Sequence, residues 1–344
     1  MSKTKATLLV ALLWIAALVL AGWTLSQLPV NEILNNLKRL HAHDYFILFS
    51  ANLIIIFIFN FRWLVLSRAI QAPVKFFQLL FIRQAGQTIS FITPGPQFGG
   101  EPLQIFWLWR NSQLPLHKAL LSLGLDRFYE LWVNFSVLVL GVLLLLGSSA
   151  HTTANWNTIL FALIAVLALL TVFAALVFKQ PLWIVHRFNK VTHSWQAHRY
   201  LRHIKTQWNL LGEELRTCLQ YQRKRLLYAA LLSALGWIGL IAELQLILWL
   251  TDTPLPLTGF LLLFVALRLA LLLPLPGGIG TMEAAVFWTF HYLALPMESA
   301  LATIALMRVR DLAVLVFGFG CLGFIKKRTA TNDKELTLGT SAEK

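Results

Sequence analysis

Acidic and arginine side chains stand out in this sequence because they interrupt long hydrophobic segments. Glu101 and Glu283 each follow a group of glycines, and Arg268 lies inside an apolar run. A charge inside a bilayer is costly, so each of these residues is a candidate for binding or transport. A guanidinium is a planar donor that suits phosphate, whereas a carboxylate can bind a proton, a cation or a polar headgroup.

A second group of charges opens a later hydrophobic segment with the sequence Asp126-Arg127-Phe128-Tyr129-Glu130. Arg127 and Glu130 are three residues apart, so they can pair on one face of a helix. We favour an internal role for Arg127, Arg268 and Arg308. Glu243 is isolated in its own apolar segment. The other arginines near segment ends are expected to snorkel to the membrane surface: Arg83, Arg110 and Arg310.

Glu101, Arg268 and Glu283 lie in interrupted hydrophobic segments at 76–110 and 257–296. Their apolar halves are 76–92 with 102–109, and 257–273 with 282–295. Proline and glycine between the halves cannot continue a helix, and irregular backbone at membrane depth survives only inside protein or beside water. The glycines expected to let a headgroup approach the backbone are Gly99, Gly100, Gly277, Gly278 and Gly280. Helix capping by Glu101 and Glu283 is the structural alternative.

Composition supports a membrane location. The 344 residues are 58% hydrophobic and 13% charged, against about 25% charged in an average soluble domain. This excludes a soluble enzyme, a disordered chain and a secreted disulfide scaffold. Uninterrupted apolar stretches predict six spans: 6–26, 45–66, 118–147, 157–178, 226–250 and 300–325.

The distribution of Lys and Arg predicts the orientation. Segment 179–225 is strongly basic, and the tail after 325 opens with Lys326-Lys327-Arg328. Cytoplasmic loops are enriched in these residues, so both termini and segment 179–225 are placed in the cytoplasm. The net charge of +14 is therefore attributed to topology, and no nucleic-acid partner is expected. A helical stripe within 179–225 favours packing on the bundle, with contact to anionic lipid as the alternative.

Together these features predict an all-α polytopic membrane protein with about six full transmembrane helices and two re-entrant, broken helix pairs in an inverted repeat. Full spanning by 257–273 and 282–295 is the alternative. A single membrane domain is expected over 1–325, followed by a polar cytoplasmic tail at 326–344. Paired interrupted segments of this kind indicate a transporter's substrate site. We find no metal-ligand spacing, nucleotide motif or cofactor motif in the sequence.

The two glycine-rich segments, 94–102 and 276–284, together with the acidic-Arg-x-x-acidic element at 126–130, resemble a known family. It is the lysylphosphatidylglycerol synthase transmembrane region, also called the flippase-like or UPF0104 family, and the resemblance covers about 6–325. It implies an envelope-lipid translocator in the cell inner membrane, without the family's soluble synthase domain. In the family pattern, the position of Gln104 is often basic.

The resulting hypothesis is a flippase for an anionic or headgroup-modified phospholipid or a polyprenyl-linked envelope lipid. Its expected partners are lipids with phosphate headgroups, and envelope lipid-modifying enzymes or glycosyltransferases. Arg127, Arg268 and Arg308 would hold phosphate, while Glu101, Glu130 and Glu283 would tune headgroup choice or couple to protons. The protein is not expected to be an enzyme. The alternatives are a membrane enzyme for lipid-linked substrates and a non-transporting partner of envelope enzymes.

Overall fold

The computed structural model describes residues 40–93, 99–148, 155–179, 199–273 and 275–342, with the backbone alone at 177–179, 199–209 and 328–342. Across these ranges the chain forms ten α-helices and no strand. They are α1 (Ala42–Ala69), α2 (Phe76–Ile92), α3 (Glu101–Asn111), α4 (Leu116–Gly147), α5 (Trp156–Lys179), α6 (Arg199–Tyr221), α7 (Arg223–Leu250), α8 (Leu257–Ala270), α9 (Thr281–Tyr292) and α10 (Met297–Ala342).

Among the described helices, four are long and apolar enough to cross a membrane: α1, α4, α5 and α7. They coincide with the predicted spans at 45–66, 118–147, 157–178 and 226–250, so the prediction of several spanning helices is confirmed. The predicted span at 300–325 lies within α10, which is helical but carries Arg308, Arg310 and Asp311 in its apolar stretch. The predicted span at 6–26 lies outside the described residues.

Both interrupted segments are broken where proline and glycine cluster. The first consists of α2 and α3, with 17 and 11 residues, and the second of α8 and α9, with 14 and 12 residues. At 1.5 Å per residue even α2 is only about 26 Å long, less than a hydrocarbon core of roughly 30 Å. A short 3₁₀ turn, Pro276–Gly278, lies between α8 and α9.

The helices form two units with the same order of elements. We call α1–α4 the N-terminal unit and α7–α10 the C-terminal unit; each is a long helix, two half-helices and another long helix. The first half-helix of each unit packs against the last helix of the other unit: α2 contacts α10, and α8 contacts α4. Helices α1 and α7 pack along each other.

The basic segment expected at 179–225 contains α6, which packs against the N-terminal unit. The side chains of Leu215 and Cys218 are buried in the apolar cluster that α1, α2 and α4 also form. Burial raises the pKa of the Cys218 thiol to about 11, so the group is neutral at physiological pH. This packing agrees with the bundle-packing expectation for the residues of α6 whose side chains are described.

Candidate functional site

Each unit begins its second half-helix with a glutamate that binds the loop before it. Glu101 Oε2 accepts the Gly99 N–H at 2.7 Å, and Glu283 Oε2 accepts the Gly280 N–H at 2.8 Å. Carboxylates are favoured at helix N-termini because unpaired N–H groups point there. The capping alternative considered for these glutamates is therefore present in the geometry.

The same glutamates also pair with an arginine from the next long helix. Arg308 Nε donates to Glu283 Oε1 at 2.7 Å, and Arg127 Nε lies 3.5 Å from Glu101 Oε1. Each arginine then bonds an acid three residues further on its own helix: Arg127 to Glu130 at 3.0 Å and Arg308 to Asp311 at 3.1 Å. We call these two sets, Glu101–Arg127–Glu130 and Glu283–Arg308–Asp311, the clamps.

Glycine serves different purposes in the two loops. A methyl group added at Gly100 would lie 1.9 Å from the Gly86 carbonyl oxygen, so the loop approaches α2 too closely for any other residue. Gly277 and Gly278 have φ angles of 57° and 62°, a left-handed conformation that glycine adopts without strain. Arg308 donates to the carbonyl oxygens of both, at 3.3 and 3.4 Å.

Behind the N-terminal clamp lies a buried cluster of opposite charges. Asp126 accepts from Arg62 Nε at 2.8 Å and from Arg83 Nη1 at 2.7 Å. Both arginines also lie 3.5–3.6 Å from Glu130 Oε2. Arg83 is only 2% exposed, so the expectation that it snorkels to the membrane surface is wrong. The carboxylates of α4 hold it inside.

The C-terminal unit has a corresponding group around Arg310. Its guanidinium donates to Glu243 Oε2 at 3.2 Å and to Asp311 Oδ1 at 2.7 Å, so Arg310 does not snorkel either. Asn52 Nδ2 donates to Glu243 Oε1 at 2.8 Å. Glu243 is therefore isolated in its own helix but has two partners in the fold.

Arg268 differs from the other five arginines of this network. Among the described residues no carboxylate lies within ion-pair distance of it; instead its guanidinium lies over the Trp237 and Phe264 rings, at 4.7 and 5.4 Å. Aromatic faces attract a cation but do not neutralise it. Arg268 is thus a cation held in place and available to an anion.

Some of these charges line a cavity of about 290 Å³ between the two units. Both units contribute to it, and Arg268 faces it together with Gly277 from the interrupted loop. A water molecule occupies about 30 Å³ of liquid, so the space suits roughly ten waters or one small polar headgroup. The charged residues of its wall are Arg127, Glu130, Glu243, Arg268, Arg310 and Asp311.

The structure therefore brings together only part of the set that the sequence indicated. Arg127, Glu130, Arg268 and Gly277 line the cavity, whereas Glu283 and Arg308 line a much smaller adjacent space. Gly99, Gly100, Glu101, Gly278 and Gly280 are not among the residues that line either space.

The predicted site set left out several members of the network: Arg62, Arg83, Asp126, Glu243, Arg310 and Asp311. Their signal was a charge within or beside an apolar segment, but segment ends also carry charges that face water. In the part of the chain described, His41, His43 and Asp44 form the one group arranged closely enough to hold a metal ion, and they do not line the cavity.

The fold and this site define a multi-pass helical membrane protein with a charged cavity between two similar units. The sequence profile of the lysylphosphatidylglycerol synthase TM region matches residues 7–318, and the chain belongs to that family. The chain is also 27% identical over 292 residues to a UPF0104 membrane protein of Methanothermobacter thermautotrophicus, covering 80% of this chain and 83% of the relative. The resemblance drawn from the glycine-rich segments is thereby confirmed. No solved structure matches the chain.

Proposed function

We propose that this protein is a lipid flippase of the bacterial inner membrane that moves a lipid with a phosphate-bearing headgroup. The observation that carries the proposal is the guanidinium of Arg268, which faces the cavity between the units and has no carboxylate partner among the described residues. A charge-assisted bond to phosphate would give this buried cation the partner that the described residues do not provide. The acyl chains would remain outside, because the cavity is only about 290 Å³.

We further propose that the two units form an inverted repeat with two re-entrant helix pairs. The short half-helices, the reciprocal packing of α2 on α10 and α8 on α4, and the recurrence of a Glu–Arg–acid clamp support this arrangement. Transporters built from such repeats place their substrate sites at the repeat interface, where this cavity lies. The basic segments 179–225 and 326–344 support placing both termini in the cytoplasm.

In this proposal the clamps shape the site. Arg127 and Glu130 line the cavity and are available to the headgroup, whereas Glu101, Glu283 and Arg308 hold the loops. The proposal includes no bond-breaking step, and transport would draw on an ion gradient, the membrane potential or the lipid gradient. Enzymes that make or use the transported lipid are the proposed partners.

The test is lipid translocation in proteoliposomes that contain a fluorescent phosphatidylglycerol. We expect Arg268→Gln to reduce the rate about tenfold or more, since a hydrogen bond to a charged group contributes roughly 1.5–3 kcal/mol. Arg268→Lys should retain part of the rate. The matched control is Arg216→Gln, which removes one exposed charge on α6. Thermal melting of each variant separates loss of folding from loss of transport.

Three results would contradict the proposal. Transport that is unchanged in Arg268→Gln would remove the cavity cation from the mechanism. A chemically modified lipid that depends on Asp126 and Glu130 would favour a membrane enzyme. Absence of transport by the wild-type protein, with capture of envelope enzymes that is lost on deleting 195–220, would favour a non-transporting partner.

The clamp glutamates have a separate test in the same vesicles. If Glu101→Gln and Glu283→Gln together leave translocation unaffected, these carboxylates play no part in proton coupling or headgroup choice. A large loss of translocation at a temperature at which the double variant is still folded would instead assign them to transport.

A further inference from the structure

A further space lies on the outer surface of the bundle, between α1 and α7. It is a groove of about 460 Å³, separate from the cavity between the units. On α1 it is lined by Phe61, Val65 and Arg68, and on α7 by Arg225, Tyr228, Leu231, Leu232 and Leu235. The spacings of three and four residues place each set on one helix face.

The groove is apolar along most of its length and basic at one end. Phe61, Leu231 and Leu235 are 46%, 57% and 49% exposed on helices long and apolar enough to span a membrane. From Arg225 to Leu235 the helix rises about 15 Å, half of a hydrocarbon core of roughly 30 Å. The groove is therefore as long as the acyl region of one leaflet.

Two arginines, Arg68 and Arg225, form the basic end of the groove, where α1 ends and α7 begins. Arg225 Nη1 donates to the Arg68 carbonyl oxygen at 2.6 Å, which ties the two helix ends together. Among the described residues no carboxylate pairs with either side chain. Both arginines are exposed, so their remaining N–H donors can reach a ligand at the membrane surface.

The opposite end of the groove is closed by tight helix packing. The lining stops at Leu235, and a methyl group added at the next residue, Gly236, would lie 2.5 Å from the Phe59 ring. One helical turn further, a methyl at Gly239 would lie 2.8 Å from Ile55. The groove thus has a defined depth and does not run the full length of the helix pair.

We propose that this groove is a binding site for one anionic phospholipid, whose phosphate lies on Arg68 and Arg225 and whose acyl chain lies along Tyr228, Leu232 and Leu235. Charge complementarity selects this occupant, because basic pockets between membrane helices bind anionic headgroups. The site is separate from the cavity and does not depend on the proposed transport activity.

The test is native mass spectrometry of the full-length protein in detergent, titrated with phosphatidylglycerol and, separately, phosphatidylcholine. We expect preferential binding of one phosphatidylglycerol. Arg68→Gln with Arg225→Gln should weaken it about 30-fold, which corresponds to about 1 kcal/mol for each basic residue. The matched control is Arg223→Gln with Lys224→Gln, which removes two neighbouring charges that do not line the groove. It should change the affinity less than about threefold.

A second variant tests the groove without changing charge. Leu232→Trp fills the apolar part and should also displace the lipid, while melting in lipid-free detergent stays at the wild-type temperature. Equal weakening by the two double variants would show diffuse surface attraction and overturn the proposal. The proposal would also be overturned if Leu232→Trp dissociated a dimer or lowered the melting temperature in lipid-free detergent. In either case the groove would hold a second copy or another segment of this chain.

The outcome of the groove-lipid test is distinguishable from the outcome of the flippase test. The Arg268→Gln variant should still bind the groove lipid even where translocation is lost. The double variant Arg68→Gln with Arg225→Gln should leave the charged residues of the cavity in place. Loss of the groove lipid in Arg268→Gln would contradict a site at α1 and α7.

Discussion

The N-terminal and C-terminal units hold their interrupted loops with the same kinds of side chain but with different tightness. Arg308 bonds Glu283 at 2.7 Å and also the carbonyl oxygens of Gly277 and Gly278. Arg127 lies 3.5 Å from Glu101 and instead donates to Glu130 at 3.0 Å and Gln104 at 3.4 Å. Among the described residues, the C-terminal clamp arginine thus also bonds the backbone of its loop, whereas the N-terminal clamp arginine bonds Gln104 of α3 instead.

The charges behind the clamps also differ between the units, but here the N-terminal unit is the more completely paired one. In the N-terminal unit Asp126 pairs with two arginines at once, and the three arginines of its buried network, Arg62, Arg83 and Arg127, all have carboxylate partners. In the C-terminal unit Arg308 and Arg310 have partners, but Arg268 has only aromatic faces within the described structure. The network arginines of the N-terminal unit are thus all paired within the protein, whereas in the proposed function the C-terminal unit retains a cation for a ligand.

The largest expected effect is that of Asp126→Asn. It leaves Arg62 and Arg83 buried without their main counter-charge, and breaking a buried pair in this way costs about 3–5 kcal/mol. We expect a large fall in melting temperature of the purified protein. Glu298→Gln, an exposed acid in the first turn of α10, is the control and should leave melting unchanged. If the two variants melted at comparable temperatures, Asp126 would not be the main counter-charge of Arg62 and Arg83.

Next comes the pair Glu283→Gln and Glu101→Gln, which tests the difference between the clamps. Loss of the short charged contact to Arg308 should cost about 3 kcal/mol, whereas loss of the longer contact to Arg127 should cost about 1 kcal/mol. Melting temperatures of the two variants, each against wild type, measure this order. Equal destabilisation would show that the clamps are equivalent despite their distances.

A smaller effect is expected for Gly100→Ala. The added methyl would meet the Gly86 carbonyl oxygen, and overpacking of this kind costs about 1–3 kcal/mol. Gly124→Ala is the control, since a methyl at that exposed helical position meets no atom within 4 Å. It should be neutral or stabilising by up to about 1 kcal/mol. Normal melting of Gly100→Ala would contradict the close approach of the loop to α2.

The smallest effect on stability should come from Arg268→Gln. Among the described residues Arg268 has no carboxylate contact to lose, only its contacts with two aromatic rings, so we expect a change within about 1 kcal/mol. Arg310→Gln provides the comparison within the same unit and should be clearly more destabilising, because Glu243 and Asp311 lose their shared partner. Similar melting of the two variants would remove the distinction between a structural and an available arginine.

Local pattern was sufficient for most helices and for the breaks between them. Apolar stretches predicted α1, α4, α5 and α7 to within a few residues, because the hydrophobic length needed to cross a bilayer is narrow. Proline and glycine clusters located both interruptions, since neither residue type sustains a helix there. The glycine-rich segments and the 126–130 element were also specific enough to indicate the family.

Pairing of charges could not be predicted in the same way. Arg83 and Arg310 have the sequence surroundings of snorkelling residues, yet carboxylates on other helices or on the neighbouring residue hold them inside. Glu243 is isolated in its own helix and finds Arg310 of α10 and Asn52 of α1, 67 and 191 residues away. Contacts at such separations depend on how helices pack, and no local spacing encodes them.

The sequence by itself determined that this is a helical membrane protein with two interrupted segments and a small set of intramembrane charges, because hydrophobic length and helix-breaking residues act locally. Only the tertiary structure decided which of those charges neutralise one another. Helix packing pairs Arg62 and Arg83 with Asp126 and places Arg268 against aromatic rings at the cavity. A buried charge is stabilised by what lies within a few ångströms in space, whatever its distance along the chain.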